Sequence, residues 1–464
     1  MPFAARLRGL LDALEKGLVE RRQAVRLALL AALAGEHTLL IGPPGTAKSE
    51  LARRLHFAFR DARYFERLLT RFSVPEELFG PLSIQALEQD RYERHTAGFL
   101  PDASIAFIDE VFRANSAILN ALLTLLNERE FDNGAGRQRC PLISAIGATN
   151  EVPEDEVGEA FFDRFLLRLP IRPVSSDGFE QLLGADRASA WRSPAVEVML
   201  DESDLATLAR HAARLSLPIE VSAILGELRQ HLAAEEVYVS DRRWVKIAWL
   251  ISVAAVSEGR SSLCLWDLFI LPWCTAPDAA RQATVSDWLC GRLGVQEALS
   301  PPRLTRVVEA FEAQLEAECN ANDLDYDESG RLRFSAEDLA GEVGDAKGGS
   351  QALRLTHTRR RRFGAAHIGA RTRQIDELLA RIDTYAAELA NQMESLADYR
   401  AHSLWLDEDL AARVDTNLSA TAEAIRALRA RVVVTRAGFQ CLPRLPEDTG
   451  EVPAPVEHEL LAVR

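Results

Sequence analysis

The chain has 464 residues, of which 47% are hydrophobic and 27% are charged, a composition typical of a globular protein with two to four domains. Its formal net charge of −15 disfavours nucleic acid as the main partner, because duplex-binding proteins usually carry a basic surface. The sequence contains no apolar run of about 18 residues, the length that is needed to span a membrane. The first residues lack the apolar core of a secretory signal and the six cysteines are scattered, so we expect a cytoplasmic protein with free thiols.

Helical periodicity covers residues 6–34, with a turn at 17–23, and an apolar strand pattern at 37–41 leads into the first strong motif. A strand, a Gly-rich turn, Lys-Ser and a helix form the layout of a phosphate-binding P-loop. Its backbone N–H groups would surround the anion, Lys48 would contact the β- and γ-phosphates, and Ser49 would bind Mg²⁺. The usual pattern has Gly before the Lys, and Ala47 is allowed there if its φ is negative. The predicted nucleotide-binding residues are Gly42, Pro43, Pro44, Gly45, Thr46, Ala47, Lys48 and Ser49.

The segment after the P-loop helix predicts a second strand at 64–69 and another helix opening at 71–80. Residues 91–96 then alternate in polarity before Gly98. Alternation followed by a turn residue predicts a β-hairpin inserted near a helix.

The third predicted strand, residues 103–108, is apolar and ends at the adjacent acids Asp109 and Glu110. In a parallel sheet, the carboxyl ends of strands border the crevice where α/β proteins bind ligands. Asp109 is therefore a candidate Mg²⁺ ligand through water, and Glu110 is placed to orient and polarise an attacking water. Asp109 follows Lys48 by 61 residues, which leaves room for one strand and two helices.

A mostly apolar helix is predicted at 117–126, and Asn-Gly between extendable flanks predicts a hairpin at 130–139. The fourth strand, 142–148, is followed by Asn150, which could hydrogen-bond the attacking water or the γ-phosphate, or form an Asx turn. Asp163-Arg164-Phe165 ends a short predicted helix, and residues 165–170 form the fifth predicted strand. Arg164 could complete a neighbouring subunit's site or form a surface salt bridge, with Arg168 and Arg113 as further candidates for such a role.

The remaining chain is predicted to be helical. A connection at residues 171–200 leads to an all-α domain in which Ser240 or Asp241 caps a helix that carries Arg242 and Arg243 in its first turn. Cations oppose the dipole at a helix N-terminus, so either an anionic ligand or an ion pair with nearby acids is expected there. The predicted domains are 1–175, 176–297 and 298–442, with a short polar insertion at about 320–365 and a flexible tail at 443–464. The last domain shows three long amphipathic helical patterns.

The ordered motifs resemble the AAA+ ATPases and, within them, the MoxR family and its regulatory ATPase variant A (RavA) branch. The resemblance rests on the P-loop, 105–110, Thr149-Asn150, Asp163-Arg164-Phe165 and Ser240-Asp241-Arg242. It is supported by phrases such as Thr70-Arg71-Phe72-Ser73 and covers about the first 300 residues. It implies an α/β P-loop core with a five-stranded parallel sheet, an all-α lid and a C-terminal triple-helical region.

The resemblance also implies residue roles, cofactors and partners. Asp109 and Glu110 correspond to Walker B, Asn150 to sensor 1, Arg164 to the arginine finger and Arg242 to sensor 2. ATP and Mg²⁺ are the implied cofactors, and a homo-hexamer that works with a von Willebrand factor type A protein is the implied assembly. The RavA branch binds an inducible lysine decarboxylase through a β-rich insertion; here only the short, polar 320–365 stands at that place, which puts the decarboxylase in doubt.

The sequence therefore predicts an ATP-hydrolysing ring that remodels or matures a protein partner. A nucleic-acid motor or initiator is the alternative, because related AAA+ proteins share the inserted hairpins, although the acidic charge argues against it. A nucleotide-gated scaffold is a third possibility. No residue identifies the client protein.

Overall fold

The computed structural model describes residues 2–134, 136–150, 152, 156–184, 191–321, 361–446 and 450–459. The chain forms two compact units, of which the first comprises residues 1–293 and 396–414 and the second comprises 294–395 and 415–464. Most of the predicted insertion at 320–365 lies outside the described residues.

The first unit is built on a five-stranded parallel sheet in the order β2-β3-β6-β1-β7. Its strands are short and apolar because helices cover both faces, as in other parallel sheets. Every residue of β6 is buried, as are the first four residues of β1 and of β3. The strands are β1 (His37–Ile41), β2 (Tyr64–Leu68), β3 (Ile105–Asp109), β6 (Ser144–Thr149) and β7 (Phe165–Pro170).

A separate two-stranded antiparallel ribbon joins β4 (Glu130–Asp132) to β5 (Arg137–Arg139), which is the hairpin predicted at 130–139. The prediction of a hairpin at 91–98 is wrong. Across these described residues the structure has only an isolated bridge, between Leu82 and Arg94. The side chain of Asn133 accounts for this difference. It accepts from the Arg94 N–H at 2.7 Å and donates to the Arg94 carbonyl at 3.2 Å, and so takes the place of a partner strand.

Helices of the first unit flank the sheet and then form an all-α lid. In the α/β part the helices are α1 (Phe3–Glu15), α2 (Arg22–Leu33), α3 (Lys48–His56), α4 (Pro75–Phe79), α5 (Ile84–Leu87), α6 (Ser116–Glu128), α7 (Glu156–Phe162) and α8 (Ser176–Gly184). In the lid they are α9 (Glu202–Ala212), α10 (Ile219–Ala234), α11 (Asp241–Ser257), α12 (Leu271–Thr275) and α13 (Ala279–Arg292). Four short 3-10 turns also occur in the described residues: Leu100–Asp102, Val111–Arg113, Leu265–Ile270 and Glu297–Leu299.

Three long helices dominate the second unit, and most residues of their predicted apolar stripes are buried. They are α14 (Pro301–Cys319), α15 (Ala365–His402) and α16 (Glu408–Gln440). The last residues of α15 and the first of α16, together with the link between them, belong to the first unit. There the indole N–H of Trp405 donates to the Ser257 hydroxyl at 2.8 Å, and Arg26 donates to the Leu404 carbonyl at 3.0 Å.

The described part of the predicted flexible tail makes defined contacts within the second unit. Leu445 N–H donates to the Phe363 carbonyl at 3.0 Å, and Arg371 donates to the Ala454 carbonyl at 2.7 Å. Val456 is buried. One of these partners, Phe363, lies just before α15 and the other, Arg371, lies on it, although the tail itself forms no helix or strand in its described residues.

Candidate functional site

The P-loop leaves β1 between two neighbouring strands of the sheet. The Gly42 N–H donates to the carbonyl of Thr149, at the end of β6, at 2.9 Å. A Cβ on Gly42 would lie 2.0 Å from the carbonyl oxygen of Ile171, which directly follows β7. The first residue of the loop therefore has to be glycine, because any side chain would push it away from the sheet edge.

Ala47 adopts φ 66° and ψ 25°, in the left-handed region, so the prediction that it would have a negative φ is wrong. The chain must turn sharply here because α3 begins at the next residue, Lys48. A glycine would adopt this conformation freely, whereas a residue with a Cβ is strained by about 1–2 kcal/mol. The loop keeps this strain at the position immediately before its lysine.

Lys48 lies over its own loop. Its Nζ donates to the carbonyl oxygens of Gly42 at 2.5 Å and Pro43 at 3.0 Å. Burial lowers the pKa of Lys48 below its ordinary value, and the nearby carboxylates of Asp109 and Glu110 oppose this shift. The ammonium group is thus held at the loop, within the electrostatic influence of both acids, where a phosphate can replace the two carbonyl partners.

Glu110 is held by two side chains at the carboxyl end of β3. The Asn150 amide donates to its Oε1 at 2.7 Å, and Arg113 Nε lies 3.2 Å from its Oε2. Glu110 itself has φ 50° and ψ 44°, and its N–H donates to Asp109 Oδ1 at 3.0 Å. The buried Oδ1 of Asn150 has no hydrogen-bond partner among the described residues. The predicted Walker B acids and Asn150 therefore lie together, with an acceptor left open.

The arginines predicted to act at the nucleotide differ in burial and in partners. Among the described residues, none of them makes a hydrogen bond to the P-loop. Arg242 is half-exposed and pairs with Asp163 at 3.0 Å. Ser240 is the cap of α11. The buried Arg243 contacts the same carboxylate at 3.2 Å and donates to the carbonyls of Phe165, Leu166 and Cys274. Of the two explanations for these cations, the structure shows the ion pair.

Arg164 and Arg168 differ in burial. Arg168 is buried and its guanidinium lies 3.9 Å from the centre of the Phe162 ring, so it is neither a surface residue nor able to reach a neighbour. Burial and the adjacent Arg243 hold the pKa of Arg168 well below its ordinary value. Arg164 is partly buried, and its Nε and Nη1 have no partner among the described residues.

Arg21 was not predicted from the sequence. Its buried guanidinium donates to the carbonyls of Thr46 in the P-loop at 3.1 Å and Arg172 at 2.7 Å, and burial lowers its pKa. Together with Trp273 it lines a cavity of about 190 Å³ between residues 20–24 and 169–173. The signal that could have indicated this site was the interrupted helix at 17–23, which marks a turn but does not indicate what the turn contacts.

The arrangement is suited to binding a polyphosphate and activating water. Backbone N–H groups and Lys48 can hold phosphates, Ser49 and Asp109 offer oxygens of the kind that Mg²⁺ prefers, and Glu110 can accept a proton. Among the described residues, no group of three or more His, Cys, Asp or Glu side chains forms a dedicated metal site. The residues present thus fit an ion held jointly with phosphates, because Mg²⁺ usually keeps waters and substrate oxygens as ligands.

Comparisons with known proteins identify two matching family models. Residues 5–210 match a MoxR domain described in MoxR-vWA-beta-propeller ternary systems, and residues 220–289 match an AAA lid domain. No helix in the described residues has the length and apolar character needed to cross a membrane.

Similar proteins occur in archaea and bacteria. Two uncharacterized proteins of Methanocaldococcus jannaschii are each 40% identical over 56% of this chain, and the matches cover 67% and 68% of their lengths. The MoxR protein of Paracoccus denitrificans is 28% identical over 36% of this chain and 50% of its own. The matches to the two archaeal proteins extend over 264 and 261 residues.

Proposed function

This chain belongs to the MoxR family of AAA+ ATPases, and we propose that it hydrolyses ATP as a ring to remodel or mature a protein partner. The observation that carries the hydrolytic part is the bond between Asn150 and Glu110 beside the P-loop lysine. This bond supports the proposal that a carboxylate and an amide would lie beside the γ-phosphate of a nucleotide bound at Lys48.

The proposed mechanism uses the chain's own groups in three roles. The P-loop N–H groups and Lys48 bind and orient the phosphates, and Lys48 exchanges its two carbonyl partners for phosphate oxygens. Mg²⁺, held by Ser49 and by Asp109 through water, would supply neutralisation of phosphate charge. Glu110 polarises the attacking water, and Asn150 orients the same water or the γ-phosphate.

The base of the nucleotide is proposed to occupy the cavity beside Arg21 and Trp273. The cavity adjoins the P-loop through the bond from Arg21 to the Thr46 carbonyl. Residues from the α/β part and from α12 of the lid line it. A nucleotide bound there would contact both parts of the first unit, which offers a route from nucleotide state to lid position.

Arg164 is proposed to act on a neighbouring subunit's nucleotide in a hexamer. Two nitrogens of its guanidinium are buried and lack a partner, which is costly unless a partner is supplied from outside. Arg164→Ala should bind ATP nearly normally and hydrolyse it about 10²–10³-fold more slowly, at or below the lower end of what arginine fingers contribute. Mixing Arg164→Ala with Lys48→Ala should restore part of the activity. Subunit exchange without any recovery would indicate that Arg164 does not act in trans.

A von Willebrand factor type A protein is the proposed partner class, supported by the description of the matching MoxR domain. A place near the RavA branch is proposed because of the shared phrases and the three long helices of the second unit. The segment where a decarboxylase-binding insertion would stand lies mostly outside the described residues, and no decarboxylase forms part of this proposal. A cytoplasmic location is proposed from the six scattered cysteines, all of which are free thiols.

The test compares ATP binding and turnover in wild type, Lys48→Ala and Glu110→Gln. Lys48→Ala should lose nucleotide binding because the cation on the phosphates is removed. Glu110→Gln should bind ATP but lose about 10²–10⁴-fold in turnover, since an amide cannot accept the proton. Equal turnover in Glu110→Gln and wild type would contradict the assignment, and stimulation by DNA would favour the nucleic-acid motor.

A further inference from the structure

Both carboxylate oxygens of Glu110 are engaged by side chains of the same chain. Oε1 accepts from the Asn150 amide at 2.7 Å, and Oε2 faces Arg113 Nε at 3.2 Å. A carboxylate that polarises water has to present a lone pair to that water in a defined direction. With one group on each oxygen, these two partners fix the position of the Glu110 carboxylate.

The two partners are not equally firm. Asn150 directly follows the fully buried strand β6, and Glu110 is only 17% exposed. The side chain of Arg113 is 61% exposed and ends a three-residue 3-10 turn, Val111–Arg113. Exposed ion pairs are weak and are screened by salt, so the contact with Arg113 is the one that can open at little cost.

The Glu110–Arg113 ion pair can open through movement of side chains alone, because the backbone around it is held in place. Glu110 is in the left-handed region, the Arg113 N–H donates to the Glu110 carbonyl at 2.9 Å, and Val111 between them is buried. A residue held in such a conformation persists because its surroundings over-determine it. A change in how Glu110 meets water therefore requires its ion pair with Arg113 to be exchanged, and the turn itself can stay in place.

We propose that Arg113 is a positioning residue that restrains Glu110 and so slows basal ATP hydrolysis. The ion pair holds Oε2 away from the attacking water until a phosphate or a neighbouring subunit draws the guanidinium away. Arg113 thus acts in cis on its own Glu110, which differs from the trans role considered for it from the sequence. This inference rests on the proposed ATPase function.

The test is steady-state ATPase kinetics of Arg113→Gln and Arg113→Lys in the full chain. Arg113→Gln should raise kcat about two- to fivefold, the factor that an exposed ion pair is worth, with KM for ATP unchanged. Arg113→Lys keeps the charge and should fall between wild type and Arg113→Gln. Raising the salt concentration from about 50 to about 500 mM should increase kcat of wild type relative to Arg113→Gln, because screening opens the ion pair.

Arg137→Gln is the matched control. Arg137 is also 61% exposed and also pairs with acids, at Glu128 and Glu130, but it lies on the β4–β5 ribbon. It should match wild type in kcat and in salt dependence. An equal acceleration in Arg137→Gln would show that the effect is general surface electrostatics and would overturn the inference.

Other outcomes also separate the possibilities. A lower kcat in Arg113→Gln at unchanged KM would show that Arg113 assists hydrolysis, and recovery on mixing with Lys48→Ala would show that it acts in trans; either result overturns the restraint. If the kcat of wild type exceeds that of Glu110→Gln but equals that of Arg113→Gln, the inference about Arg113 fails and the proposed ATPase function stands. If wild type and Glu110→Gln are equally slow, the proposed function fails as well.

Discussion

Glu110 and Asp163 are both ion-paired carboxylates of the first unit, but their surroundings are opposite. Glu110 lies on strained backbone between an amide with an open acceptor and an exposed arginine. Asp163 faces Arg243 and Arg168, both buried, as well as the half-exposed Arg242. The first carboxylate can exchange partners at little cost, whereas most of the second cluster is desolvated and fixed. The comparison separates groups arranged for chemistry from groups arranged for stability.

The largest expected effect tests whether Asp163 and its arginine partners form a fixed, buried cluster. Arg243→Ala should lower the free energy of unfolding by about 3–5 kcal/mol, because it removes a buried partner of Asp163 and the donor to the carbonyls of Phe165, Leu166 and Cys274. Arg242→Ala should cost at most about 1 kcal/mol, because its ion pair is half-exposed. Urea denaturation of both variants in parallel would measure the difference. A similar loss in the two would show that Asp163 and its partners do not form a buried structural cluster.

His37 provides a second test of a buried, fully partnered group. Its Nδ1 accepts from the Ala145 N–H at 3.0 Å, and Nε2 donates to the Leu126 carbonyl at 3.0 Å, so the ring is neutral. Burial, with a contribution from Arg129, holds its pKa well below 6.5. Below pH 6.5 the unfolded chain binds the extra proton, so stability should fall as pH decreases, by about 1.4 kcal/mol per pH unit at most.

His37→Gln is the matching variant for this effect, because its amide can both donate and accept. Stability measured by urea denaturation between about pH 5 and about pH 8 should show a steeper acid loss in wild type than in His37→Gln. Above pH 6.5 the two curves should run parallel. Parallel curves over the whole range would mean that His37 takes up a proton in the folded state as easily as in the unfolded one.

The smallest expected effect concerns the strained backbone at Ala47 in the P-loop. Ala47→Gly removes the clash of a Cβ in the left-handed region but adds freedom to the unfolded chain, so a net gain of about 0.5–1 kcal/mol in stability is expected. Thermal unfolding without nucleotide would measure it. Gly35→Ala is a useful opposite control, since Gly35 also has a positive φ of 71° and should lose stability. A destabilised Ala47→Gly variant would show that the methyl group makes a favourable contact.

The sequence-based predictions were most successful where a local pattern determines position. The P-loop and the acids after β3 follow from strand-turn-helix patterns, and parallel strands bring Asp109 and Thr149 to one edge of the sheet. The structure joins Glu110 to Asn150 as this geometry requires, while the catalytic roles of both residues stay predictions. The α/β core, the lid and the helical C-terminal region were also predicted correctly.

Contacts between distant residues were beyond such patterns. Arg21 bonds to residues 25 and 151 positions away, and Arg243 meets Asp163 across 80 positions; nothing in local periodicity indicates which carbonyl or carboxylate a guanidinium will find. The φ of Ala47 was missed for a different reason. A residue type gives only a preference, and the tight entry into α3 overrode it.

The link between α15 and α16 has a consequence for synthesis. Residues 396–414 belong to the first unit, although the rest of that unit ends at residue 293. A growing chain therefore completes its α/β core and lid, and then adds about 110 residues, roughly 6–22 s of translation, before Trp405 can reach Ser257. During that interval Glu258 lacks the Ser403 hydroxyl and the Leu404 N–H that it accepts from in the finished protein. The first unit is therefore complete only after residues 396–414 have been synthesised.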